Sequence, residues 1–232
     1  MIEHTPEGLY CKAAQAWIDP WRPVPRALIT HAHADHARPG SGEYWAIGRS
    51  ANVLRQRLGQ QINLQTVNYG DEHRIGDARV SFHSAGHVLG SAQIRLQAGG
   101  ETWLVSGDYK RDVDPSCDPF SVVSTDVLIS EATFGLPIYR WPPGRQVAAD
   151  VEHWWRAAPE RASLLFCYAF GKAQRLLAEL HQLGVTETVL LHGAMVPITA
   201  AYRAEGIAMV PTERLSSLSR KEDLAGRLVL AP

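Results

Sequence analysis

His31, His33, Asp35 and His36 fall within six positions, directly after the aliphatic run at residues 27–30. Imidazole nitrogen and carboxylate oxygen are the donors that zinc and its first-row neighbours take. In an extended or turning backbone, residues two apart project together, so His31 and His33 can face one ion while Asp35 and His36 face a second. The spacing therefore suggests two metals. With 10 histidines in 232 residues, a string of this kind arises by chance in about one in a thousand such chains. Two further strand ends repeat the arrangement, Ser84-Ala85-Gly86-His87 and Val105-Ser106-Gly107-Asp108. A glycine lets the backbone turn sharply so that the next side chain reaches inward. His87 would complete a set with His31 and His33, and Asp108 would bridge that ion to one held by Asp35 and His36, a close pair suited to two-metal hydrolysis. Asp19, at a strand end before Pro20-Trp21-Arg22-Pro23, is expected to orient one of the ligating imidazoles.

The elements that must deliver these residues are short strands in the first part of the chain. Strands are expected at residues 8–12, 16–19, 27–30, 62–69, 79–84, 91–97, 102–106 and 126–130, with Gly99-Gly100 as a hairpin turn. A helix over 50–58 has Ser50 as its N-cap, Val53, Leu54 and Leu58 on one face and Gly59 at its end. Past Trp141-Pro142-Pro143-Gly144 the texture changes to alternating helix and strand. Val147, Val151, Trp154 and Trp155 form an apolar stripe expected in the core. An apolar strand over 163–170 precedes Gly171-Lys172 and a helix that buries Ala173, Leu176, Leu177, Leu180 and Leu183. A strand at 188–191 runs into His192, a helix follows around 199–204, and a strand occupies 227–230. Such alternation implies a parallel sheet in a second, smaller domain.

Composition sets the bounds. The chain is 45% apolar with a net charge of −1, which is ample for a packed core and gives no global basic field. Cys11, Cys117 and Cys167 are scattered and odd in number, which argues against a disulfide framework. No apolar stretch approaches eighteen residues and the N-terminus lacks a signal pattern, so no membrane role and a cytoplasmic location are expected.

The strand-end Asp19, His31-Ala-His-Ala-Asp-His36, Gly86-His87 and Gly107-Asp108 resemble the first four motifs of the metallo-β-lactamase superfamily. Glu131-Ala-Thr-Phe-Gly135 resembles the signature of its β-CASP branch, whose members cut DNA or RNA. The resemblance implies an α/β fold: an αββα sandwich over residues 1–135, and an α/β β-CASP cap domain over 136–232. It implies metal ligation by His31, His33, Asp35, His36, His87 and Asp108, catalytic roles for Asp35 and Glu131, and two divalent metal ions, zinc with manganese as the alternative. Lys172, Lys110 and Arg38 are phosphate-contact candidates; His192 is read as part of the cap and not as a ligand.

Within the branch, residues 5–11, 18–23, 87–93, 106–111 and 134–143 look like the bacterial ligase-associated DNA exonucleases, also labelled mRNA 3′-end-processing-like exonucleases. The expected function is a metal-dependent phosphodiesterase, a DNA exonuclease of repair in which hydroxide attacks the phosphodiester. The alternatives are an RNA-processing nuclease, a thioester or lactone hydrolase of the same superfamily, or a non-catalytic fragment. Expected partners are nucleic acid, DNA over RNA, with a DNA ligase and a helicase by resemblance. Members of this branch continue past the 228–232 strand with more of the cap, a Ser-Asp-His-type motif and a late His. The expectation is therefore a chain truncated at its C-terminus, with a first metal site of His31, His33, His87 and Asp108, a second reduced to Asp35, His36 and Asp108, and activity alone not assured.

Overall fold

The computed structural model describes residues 1–217 and 224–232. It is a mixed α/β protein that divides into two compact units. The first comprises Met1–Val113 and Cys117–Gly135, the second Asp114–Ser116 and Leu136–Pro232.

In the first unit, β1 (Ile2–Thr5), β2 (Gly8–Cys11), β3 (Ala16–Ile18), β4 (Arg26–Leu28), β5 (Glu43–Ile47) and β6 (Leu64–Val67) form a six-stranded sheet in that order. Pairing is antiparallel from β1 to β3 and parallel from β3 to β6. A second sheet has the order β11-β10-β9-β8-β7, with β7 (His73–Ile75), β8 (Ala78–Ser84), β9 (Ala92–Ala98), β10 (Glu101–Val105) and β11 (Val127–Ile129). Ala98 pairs with Glu101 across Gly99-Gly100, the expected hairpin. Side chains alternate between the faces of a strand. Val80 and Phe82 of β8 and Ile94 and Leu96 of β9 therefore point one way, onto Ile18, Leu28, Ile47 and Val67 of the first sheet. This core between two sheets holds the ends of β4, β8 and β10 in fixed relation.

α1 (Ala51–Leu58) follows a 3-10 turn at Gly48–Ser50. Ser50 does not cap it as expected: its backbone is already helical, and its Oγ donates to the Ile47 carbonyl at 2.7 Å. The extra turn moves the start of the helical path upstream of the serine.

The second unit contains α2 (Gly144–Arg156), β12 (Ser163–Phe166), α3 (Lys172–Gln182), β13 (Val189–Leu191), α4 (Val196–Ala204), β14 (Thr212–Arg214) and β15 (Leu228–Ala231). Its sheet, ordered β12-β15-β13-β14, is parallel throughout. The apolar stripe on α2 is not wholly core. Ala148 and Trp155, seven residues apart on one face, are buried, whereas Val147 and Trp154 are 41% and 47% exposed. The Trp155 indole donates to the Gly226 carbonyl at 2.8 Å, which fixes which face turns inward. The strand expected over 163–170 stops at Phe166, and Leu164 and Phe166, two residues apart on one face of it, are exposed. Asp114 enters this unit through Arg175, whose Nε lies 3.5 Å from Asp114 Oδ2 and 3.8 Å from Glu179 Oε1. No helix among the described residues is long and apolar enough to cross a membrane.

Candidate metal centre

β4 ends at Leu28, and the backbone from Ile29 delivers Thr30 and His31 at the rim of the sheet. Thr30 is buried and connects three elements. Its amide and hydroxyl meet Asp19 Oδ1 and Oδ2 at 2.8 and 2.5 Å, and its carbonyl accepts from Ala92 N at 2.7 Å, tying β4 to the start of β9. Asp19 sits at φ 43°, in the left-handed region that costs a non-glycine residue free energy but that aspartate, like asparagine, tolerates more readily than most. That backbone turn is what aims its carboxylate back at Thr30 and at His36.

These bonds assign the imidazole tautomers. The Thr30 hydroxyl donates to Asp19, so His31 Nδ1, 3.0 Å from Thr30 Oγ1, carries the proton and donates to it. His31 Nε2 is left as a lone pair. His36 Nδ1 likewise donates to Asp19 Oδ2 at 2.7 Å, which leaves its Nε2 facing the cluster.

Two glycine turns bring the other donors. Gly107, at φ 55°, packs so close to Thr30 that an added Cβ would lie 2.6 Å from the Thr30 Cβ; only glycine lets Asp108 reach this side of the sheet. Gly86, at φ 67°, lies under the Lys110 carbonyl and Phe120. The segment after Asp108 thus folds back across the His87 turn. Lys110 N donates to Ala85 O and Ser121 N to Ser84 O, both at 2.9 Å, and Arg49 Nη1 holds Asp118 Oδ1 at 2.6 Å. Ser91 Oγ accepts from the amides of His87 and Val88 and shapes the rest of the turn.

The donor atoms converge. His33 Nδ1 lies 2.9 Å from His31 Nε2 and 3.3 Å from His87 Nε2, while Asp108 Oδ2 is 3.9 Å from His31 Nε2 and 3.6 Å from His87 Nε2. All four lie within 4.8 Å of one another. Donors about 2.0–2.1 Å from a tetrahedral zinc stand about 3.3 Å apart; the observed separations bracket that edge length. The other oxygen of Asp108 turns elsewhere: Oδ1 is 3.3 Å from His36 Nε2, which is 3.6 Å from Asp35 Oδ2. One carboxylate thus faces both the His31, His33 and His87 set and His36, and the residues of the first set fit a divalent cation.

The electrostatics of His31 and His87 agree with cation binding. Burial, with neighbouring His36, His87 and His33 adding to it, holds His31 well below its ordinary value, so the ring is neutral. Burial and His33 push His87 down to about 4, against the opposing Asp108 charge. Neutral imidazoles are the ligand form. Burial also opposes charging of His36, but its bonds to Asp108 and Asp19 outweigh this and push it up to about 10. The same His36 contact holds Asp108 below the usual carboxylate range.

The remaining candidates lie outside this convergence. Asp35 is largely exposed, with Oδ2 3.6 Å from His36 Nε2. Glu131 accepts from Thr133 N at 2.7 Å, a bond within its own turn. Arg38 is exposed, with Nη1 3.3 Å from the Trp21 carbonyl; Lys110 is half-buried beside His87; Lys172, in the second unit, extends over the Tyr168 ring. His192 is exposed at the end of β13 and accepts from Ala194 N. Two residues absent from the sequence reading matter here. Thr30 had a usable signal, a β-branched hydroxyl at the last position before the histidines; Arg57 on α1, which donates to the Ala32 carbonyl, had none.

The fold and its donor cluster define an α/β protein with a metallo-β-lactamase-like framework. The relatives that match it support the metallo-β-lactamase superfamily, in its β-CASP branch, as the family this chain resembles. No protein-family model matches it. It is 32% identical over 232 residues to a protein of Opitutus terrae named "Probable DNA ligase", covering 97% of this chain and 22% of that one. It is 33% identical over 124 residues to the Endoribonuclease ysh1 of Emericella nidulans, over 51% of this chain and 14% of that protein. An RNase J-like protein of Methanocaldococcus jannaschii is 28% identical over 209 residues, 77% of this chain and 50% of its own length. Among solved structures, a protein of unknown function from Enterococcus faecalis V583 has the same fold, with a TM-score of 0.61 over 89% of this chain and 58% of that one at 11% identity. The chain thus spans from about one seventh to one half of the length of these curated relatives.

Proposed function

We propose that this chain carries the metal centre of a nucleic-acid phosphodiesterase, with residues 1–135 as its metallo-β-lactamase domain and 136–232 as part of its β-CASP cap. The observation that carries the reading is the shared carboxylate: Asp108 offers Oδ2 to the His31, His33 and His87 set and Oδ1 to His36. Two divalent ions, zinc being favoured by the nitrogen-rich donor set, would supply Lewis-acid polarisation of the phosphoryl oxygen and a nucleophile at neutral pH. Asp19 and Thr30 fix the imidazole tautomers so that lone pairs face inward. Asp35, exposed on the open side, is suited to hold and orient the attacking water. Glu131 is assigned to the site on its motif, and Arg38, Lys110 and Lys172 are assigned phosphate contacts on their charge.

DNA is the preferred substrate, and exonucleolytic repair in company with a DNA ligase and helicase the preferred setting. Support comes from the strings shared with ligase-associated exonucleases and from the ligase-named relative matched over 97% of this chain. RNA is the second reading, supported by the two relatives named as ribonucleases. The test incubates the chain with zinc or manganese and end-labelled DNA and RNA strands of one sequence. Metal-dependent shortening, lost in His33→Ala and Asp35→Asn, is expected on DNA. Cleavage of RNA alone would move the assignment to RNA processing. Turnover of a chromogenic lactam with no cleavage of either strand would replace the nuclease by a small-molecule hydrolase.

A further inference from the structure

Arg57 belongs to none of the motifs, yet it reaches the metal-donor loop. From the last turn of α1 its Nη1 donates to the carbonyl of Ala32, the residue between His31 and His33. Ala32 is fully buried, and a buried carbonyl requires a partner. A guanidinium supplies a charge-assisted one, stronger than a neutral amide would give. The next carbonyl, that of His33, is held by the loop itself, accepting from His36 N and Ala37 N at 3.2 and 2.8 Å. Arg57 thus holds the peptide plane linking Ala32 to His33, and the turn holds the plane that follows it, so His33 lies between two fixed peptides. Rotation of the first plane would swing His33 Nδ1 away from His31 Nε2, which it now meets at 2.9 Å.

We propose that Arg57 is a positioning residue of the metal centre, holding the Ala32 carbonyl so that His31 and His33 present their nitrogens to one ion. This rests on the metal-centre reading above. The residue is half-buried; burial lowers its pKa while the Asp35 charge opposes that shift, so the side chain stays cationic on a site meant for cations. The two effects have opposite signs on metal binding. A positive charge repels a divalent ion, whereas fixing the ligand loop favours it. Groups that orient ligating histidines are worth about 10- to 100-fold in metal affinity, and the positioning effect is the one expected to win.

The test titrates the chelator-treated chain with Co²⁺ against a competing indicator, for the parent, Arg57→Met and Arg57→Lys, with thermal unfolding of each metal-free protein in parallel. Arg57→Met should weaken Co²⁺ binding about 10- to 100-fold while the metal-free unfolding midpoint barely moves; Arg57→Lys, which keeps one charged donor, should recover part of the loss. Binding by Arg57→Met within twofold of the parent, or tighter, overturns the proposal. So does a loss that only tracks reduced metal-free stability. If Arg57→Met does not fold, Arg57→Lys decides alone: binding intermediate between parent and none supports the role, and parent-like binding overturns it. A parent that takes up no Co²⁺ sinks the metal-centre reading itself, a different result from a parent that binds and a variant that binds equally.

Discussion

His36 holds two carboxylates apart and together: Nδ1 is bonded to Asp19 and Nε2 faces Asp108. Without metal it carries a proton up to about pH 10, well above its ordinary 6.5. A group whose folded-state pKa is raised stabilises the fold fully below its unfolded value, and that contribution drains away as pH rises through the folded value. The chelator-treated protein should therefore melt at progressively lower temperature between about pH 6.5 and pH 10, and Asp19→Asn, which removes one of the two carboxylate charges, Asp108 and Asp19, behind the shift, should make the slope shallower; a flat parent profile would contradict the bonding seen here. The same proton competes with metal, so zinc affinity should increase with pH across this window, as an indicator titration at several pH values would report. Asp19→Asn should also weaken zinc binding about tenfold or more, because His36 loses the partner that turns its Nε2 inward. The position of Asp19 at a strand end was legible in the chain. Its left-handed backbone and its bonds to Thr30 were not, because both depend on how β3 lies beside β4.

Each donor arrives at the end of a strand, and each strand ends in a device that redirects the chain. At Gly107 two demands coincide, a positive φ and contact with Thr30, while Gly99 in the β9–β10 hairpin has only the positive φ and open space around it. Gly99→Ala should cost about 1 kcal/mol from backbone strain alone, whereas Gly107→Ala should cost about 2–4 kcal/mol and displace Asp108. Urea unfolding of the two variants separates the terms, and equal losses would mean that the Thr30 contact is not limiting. Strand ends were readable because Gly-His and Gly-Asp follow alternating apolar runs. The fate of α2 was not: a helix of this composition could bury either neighbouring stripe, and the Trp155 bond to Gly226, 71 residues away, selects one. Ser50 shows the same limit, since a serine before a helix suits a cap, yet the 3-10 turn places its side chain on Ile47 instead.

Every donor of the cluster lies in the unit built from Met1–Val113 and Cys117–Gly135, and none lies in the parallel-sheet unit. A ligand that binds only the folded state stabilises it by about 2.7 kcal/mol at one hundred times its dissociation constant. Calorimetry of the chain should accordingly resolve a transition that zinc moves upward and one that zinc leaves in place. A uniform shift of all heat absorption would show instead that the two units unfold as one. The segment Asp114–Ser116 is the point at which linear order misleads. It follows Asp108 by only a few residues, yet its Asp114 meets Arg175 of α3, in the second unit.

Residue chemistry and its periodicity were local properties, and the chain alone determined them: which side chains could bind a metal, most of the strand runs though not β1, β5, β7 or β14, and where strand-rich texture gives way to alternating helix and strand. Tertiary structure decided the rest. Convergence of His31, His87 and Asp108 requires three separate strands to end at one rim, a register set by the packing of Phe82, Ile94 and Leu96 against Ile18, Leu28 and Ile47. That register, like the reach of Arg57 to Ala32, is a sum of many weak contacts between distant residues, and no short stretch of sequence contains it.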